Sequence, residues 1–166
     1  MTRIVYLNGE YLPADEAKVS IFDRGYIFGD GVYEVVPVFE GAVVDKTYFL
    51  ERLDRSLSQI QLDWPCSQQA YLDVMSELVS RNNLREGVVY SQVTRGVAER
   101  DFPFPADTAP GFMAFSSQMN LLNNPAAIRP AGNNTCAQNS LAKLARASPS
   151  SRCTIHSSIG AAPIER

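Results

Sequence analysis

The feature that most limits what this chain can fold into is the point where its aromatic residues stop. No Phe, Tyr or Trp follows Phe115. The charges break near the same place. Residues 1–124 hold 17 of the 18 acidic residues and 10 of the 15 Lys/Arg, a net of −7. Residues 125–166 hold one acid, Glu165, and five bases, a net of +4. A folded core draws its stability from large apolar side chains leaving water. The first 124 residues can supply one; the last 42 are small and polar, as in Ser148-Pro149-Ser150-Ser151 and Gly160-Ala161-Ala162-Pro163. Apart from one short helical stretch at Leu141 to Ala147, they bury too little to offset the entropy of ordering. The expected organisation is a domain over 3–118, a linker over 119–131 and a poorly structured tail over 132–166. The tail reads as a truncated or out-of-frame product.

The chain is 45% hydrophobic and 20% charged, the balance of a soluble globular protein. No apolar run has the length of a membrane span. Met1 to Glu10 lacks the basic start and apolar block of a leader peptide. Cys66, Cys136 and Cys153 cannot all pair and show no CxxC spacing, so a cytoplasmic location is expected. A net charge of −3 without a basic block argues against nucleic acid as the partner.

Along the domain, Asn8-Gly9 sits between Ile4–Leu7 and Tyr11–Leu12, which predicts a β-hairpin with positive φ at both turn residues. Asp15 to Phe28 reads as a loop or short turns. Val32 to Phe39 is β-prone and turns at Glu40-Gly41 into Ala42–Val44. Pro37 confines that strand locally to an edge or a bulge. Phe49, Leu50, Leu53, Leu57 and Ile60 recur at helical spacing, which predicts a helix capped by Asp45 or Thr47 and running to about Gln61. Ser67 caps a second helix whose stripe is Ala70, Tyr71, Val74, Met75, Leu78 and Val79, closed at Asn82-Asn83. Strands are expected at 88–97 and 111–117, with a proline-rich loop between. The fold class is α+β: a mainly antiparallel sheet with two helices packed on it.

Three features point to chemistry, each with a plainer alternative. The glycines of Arg24-Gly25 and Gly29-Asp30-Gly31 allow tight backbone paths just before Tyr33, or form an ordinary turn. Arg52 lies at the border of the first helix's apolar stripe. Its planar fork suits phosphate or carboxylate oxygens, or it pairs with Glu51 or Asp54 at the surface. Arg95 and Arg100 near a strand end form an anion pocket, or are surface charge balanced by Glu99 and Asp101.

Together, DRGYIFGDGVYEVVPVFEG (23–41), FLERLDRSLSQIQL (49–62) and VVYSQVTRGVAERDFPFP (88–105) resemble the fold-type IV, class IV aminotransferases, most nearly those of the D-amino-acid type. The stretches fall in the family's order, behind the Asn8-Gly9 hairpin. The resemblance implies pyridoxal 5′-phosphate as cofactor, an amino acid and a 2-oxo acid as substrates, and a homodimer. It gives Arg52 the cofactor's phosphate, Tyr33 the substrate pocket and its carboxylate, and Tyr90 the pocket wall. Tyr33 is expected to line the same hollow that Arg52 faces. Arg100 falls to a carboxylate trap that family dimers lend across the subunit interface. In the D-alanine type a histidine stands two residues beyond that arginine; here it is Phe102, which cannot donate a hydrogen bond. Branched-chain aminotransferases and aminodeoxychorismate lyases share much of the same domain, so transfer and elimination both stay open.

The family continues into a second domain with the lysine that bonds the cofactor. The matching segment is absent: the ungapped register puts Ala147 at its place, and Lys143 lies nearby in a different context. Lys143 is the candidate catalytic lysine. A non-catalytic fragment or dimerisation module is the remaining alternative.

Overall fold

The computed structural model describes residues 2–121. Lys143, the tail and most of the linker lie outside the described residues. Six strands form one antiparallel sheet: β1 (Ile4–Leu7), β2 (Glu10–Pro13), β3 (Gly31–Phe39), β4 (Ala42–Val43), β5 (Gly87–Thr94) and β6 (Gly111–Gln118), in the order β2-β1-β6-β5-β3-β4. The three helices are α1 (Arg24–Phe28), α2 (Lys46–Gln59) and α3 (Gln68–Arg81). The hairpin turn has φ 48° at Asn8 and 104° at Gly9, as its residues require.

Strand alternation puts Val36 and Val38 of β3, Val89 and Val93 of β5, and Phe112 and Ala114 of β6 on one face. Phe49, Leu53 and Leu57 of α2 pack there with Tyr71, Met75 and Leu78 of α3 to form the core. The side-chain stripes expected for both helices are thus the buried ones. Tyr71 stacks on Phe112 with ring centroids 4.3 Å apart and meets Trp64 edge-on. The Ser67 hydroxyl accepts from Ala70 N and caps α3. Asp45 holds the corresponding place before α2, but at φ 55° its side chain makes no cap bond.

Three boundaries differ from the sequence expectation. Arg24–Phe28 is a helix rather than a loop: the Asp23 carboxylate accepts from Gly25 N, and Gly29 ends the turn at φ 66°. Helix α2 stops at Gln59, with Gln61 at φ 52°. Strand β5 stops at Thr94 because Gly96, at φ 91°, turns the chain away. Beyond it, Val97 makes only an isolated bridge to Asp23.

Pro37 lies where β3 has little neighbour on its outer side. β4 pairs only with Val38 and Phe39, and the Pro37 carbonyl accepts from Val44 N. Its ring nitrogen therefore faces that same side and breaks no β3–β5 bond.

Candidate functional site

The outer edge of β3, left open from Gly31 to Val35, is where the chemistry gathers. Glu34 alternates with Val36 and Val38, so its side chain rises on the helix-covered face. There it meets Arg52, projected from α2. Arg52 Nη2 and Nε donate to Glu34 Oε2 at 2.7 and 3.0 Å, and Nη2 also donates to Val35 O at 3.2 Å. Tyr48, one turn back on α2, places its ring under the guanidinium, 5.0 Å from Cζ. The plane of the fork is set by Tyr48 and its rotation by Glu34 and Val35. Of its five N–H donors, the two on Nη1 make no hydrogen bond among the described residues. That edge presents two diverging donors on one nitrogen, each able to take one phosphate or carboxylate oxygen. The side chains of the pair are only 16% and 13% exposed, so the bonds are little weakened by water.

Tyr33 points the other way. Its ring stacks on Tyr90 (5.5 Å, 11°), and Tyr90 stacks on Phe115 (4.9 Å, 18°). Arg3 caps this aromatic row at 5.4 Å. Tyr90 donates its hydroxyl to Gln92 Oε1, and burial together with the neighbouring Tyr33 pushes its phenol up. Tyr33 remains half exposed. The structure thus unites Tyr33 and Tyr90 in one wall, but on the opposite face of the sheet from Arg52. Consecutive strand residues must diverge this way. Arg52 and Tyr33 flank the open edge of β3 from its two sides and do not share one surface. A ligand touching both has to lie off that edge.

Arg95 is not part of an anion pocket. It is buried and each of its nitrogens is engaged: Nε on both Asp30 oxygens, Nη1 on Gln61 O and Nη2 on Ile60 O. It closes the C-terminal end of α2, where free carbonyls collect negative charge. Asp30 also accepts from Arg24 Nε at 2.8 Å. Burial alone would raise the Asp30 carboxyl, but Arg95 and Arg24 outweigh it and hold it below the usual carboxylate range. Arg100 is exposed, with its guanidinium 5.6 Å from the Phe28 ring and 5.3 Å from that of Phe102. Glu34, Asp30 and Phe28 are the residues that reading from sequence did not pick out.

The chain is similar to known proteins in sequence and in fold. The model of the amino-transferase class IV family matches residues 31–158, and the chain belongs to that family. It is 45% identical over 113 residues to a D-alanine aminotransferase of Staphylococcus haemolyticus, covering 68% of this chain and 40% of that protein. The chain therefore spans about two fifths of the length of the curated relatives it matches. Among solved structures, the fold matches a branched-chain amino acid aminotransferase of Escherichia coli at a TM-score of 0.68, with 16% identity over 76% of this chain and 43% of that one. It also matches 4-amino-4-deoxychorismate lyase from Pseudomonas aeruginosa at 0.57, with 23% identity over 69% and 39%.

Proposed function

We propose that this chain forms part of a pyridoxal-phosphate-dependent aminotransferase that takes a small D-amino acid of the D-alanine type and passes its amino group to a 2-oxo acid. The observation that carries the proposal is the fixed, open edge of Arg52. It fits a phosphate oxygen: two free N–H groups on Nη1, on a guanidinium that Glu34, the Val35 carbonyl and the Tyr48 ring hold in place. When bound, the cofactor supplies the electron sink that lets a proton leave the substrate's α-carbon. The 45% identity to a D-alanine aminotransferase supports the substrate class.

The chain's own residues bind and orient. Arg52 holds the phosphate from the helix side of β3. The stacked rings of Tyr33 and Tyr90 form a flat wall on the other side and exclude water from it, with the half-exposed Tyr33 hydroxyl free to donate to a carboxylate. Arg100, lying over two rings, offers a fork for the substrate carboxylate. Ile21, Phe22, Tyr26, Val97 and Phe102 are exposed, and of these Phe102 lies under the Arg100 guanidinium while Phe22 O accepts from Ala98 N of the same loop. A second copy covering them would bring Arg100 to its neighbour's site, which is the reason to read the protein as a homodimer. Cys66 makes no disulfide among the described residues, and burial pushes its thiol up; a cytoplasmic location is part of the reading.

The test incubates the full chain with pyridoxal phosphate, D-alanine and 2-oxoglutarate and measures pyruvate and glutamate. Pyruvate is expected from D-alanine only when the acceptor is present, and not from L-alanine. Transfer from L-leucine instead would favour the branched-chain reading. Pyruvate released from 4-amino-4-deoxychorismate without an acceptor would favour the lyase reading. No product from D-alanine counts against the proposal.

A further inference from the structure

We infer that Arg24 is a positioning residue for Arg100, acting through the Phe28 ring and the backbone of the loop that carries Arg100. Arg24 is 3% exposed and lies one bond from that loop: Nη1 donates to Asp101 O at 2.8 Å. Its guanidinium also lies over the Phe28 ring, 4.7 Å from the centroid. Arg100 lies over the same ring at 5.6 Å, and Phe102 beside it closes the stack, 6.2 Å from Phe28. Phe28 is therefore held by one guanidinium and in turn supports another. Two cations on one ring would repel; Asp30, shared between Arg24 and Arg95, offsets part of the inner charge through Arg24 Nε. Asp30 is itself fixed by Arg95, which is tied to the end of α2 through Ile60 O and Gln61 O. A continuous line of contacts thus runs from α2, which carries Arg52, to the exposed fork of Arg100. Only arginine suits the Arg24 position: it must lie flat on an aromatic face while donating to Asp30 and to Asp101 O. A lysine offers a point charge and no planar face.

The consequence for substrate rests on the reading above, in which Arg100 takes the substrate carboxylate; the positioning itself does not. Two readouts on the full chain separate them. The first is the Arg100 Nε–Hε resonance in a 15N-labelled protein, shifted by the rings of Phe28 and Phe102. In R24M and R24K it is expected to move towards the value of a free arginine. Asp30 keeps both bonds from Arg95 in these variants, so near-UV circular dichroism should stay native. The second is protection of Arg100 from phenylglyoxal by pyruvate, read by peptide mass. R24M and F28L should need about tenfold more pyruvate than wild type for half protection, with R24K between them. An unmoved resonance in natively folded R24M and R24K overturns the inference, as does unchanged half protection in both R24M and F28L. If the resonance moves but pyruvate never protects wild-type Arg100, the carboxylate role falls and the positioning stands.

Discussion

Arg52 and Glu34 face each other across the helix–sheet boundary, Nη2 to Oε2 at 2.7 Å, and turn a flexible side chain into a fixed fork with one free edge. A lone arginine loses rotamer freedom when it takes hold of an anion. Here that entropy is lost on folding, because Glu34, the Val35 carbonyl and the Tyr48 ring already hold the guanidinium.

Glu34 should therefore matter to stability as well as to binding. Replacing it by alanine leaves a mostly buried guanidinium with one backbone acceptor. E34A is expected to lower unfolding free energy by about 1–3 kcal/mol, read from urea denaturation. E34Q keeps an oxygen for Arg52 and should lose less. Equal losses in the two variants would show that the bond geometry is not what stabilises the pair.

Asp30 predicts the acid behaviour. Its carboxyl is held low in the folded state, whereas in the unfolded chain it titrates near about 3.9. Between those values the unfolded chain binds the more protons. The stabilisation is complete above about pH 5, begins to fall as the unfolded carboxyl titrates, and is lost as pH falls through the folded value. Urea midpoints measured from about pH 7 down to about pH 3 should show this fall. D30N should be less stable at neutral pH and show a shallower fall.

Gly96 lets the loop with Arg100 leave β5. At φ 91° a side chain is strained, and a Cβ there would collide with the Ala109 carbonyl. Gly96→Ala should cost at least about 2 kcal/mol, again read by urea. It should also change the environment of Arg100, seen as altered phenylglyoxal reactivity at that residue.

Much of the fold was legible because its signals are local. Asn8-Gly9 names its turn, Ser67 its cap, and the stripes from Phe49 to Leu57 and from Tyr71 to Val79 their buried faces. The helix at Arg24–Phe28 was hidden because one turn has no periodicity to read; the Asp23 carboxylate and Gly29 make it. The site was legible only in part. Arg52 stood out at the border of an apolar stripe, yet its partner is 18 residues away on another element. A signal for it was present: Glu34 interrupts the buried-face positions Val32, Val36 and Val38, where an acid needs a cation. Arg95 misled for the converse reason. Its distance in sequence from Asp30, Ile60 and Gln61 conceals that each of its nitrogens is already engaged. The opposite facing of Tyr33 and Arg52 follows once Glu34 is placed, since adjacent strand residues diverge.

The most direct measurement is calorimetric titration of the full chain and its R52A and R52K variants with pyridoxal phosphate and with unphosphorylated pyridoxal. If the open edge of Arg52 receives the phosphate, wild type prefers pyridoxal phosphate by at least about tenfold. R52A should lose that preference while binding pyridoxal as before, and R52K should keep part of it. An R52A variant that still prefers the phosphorylated form as strongly as wild type would contradict the account.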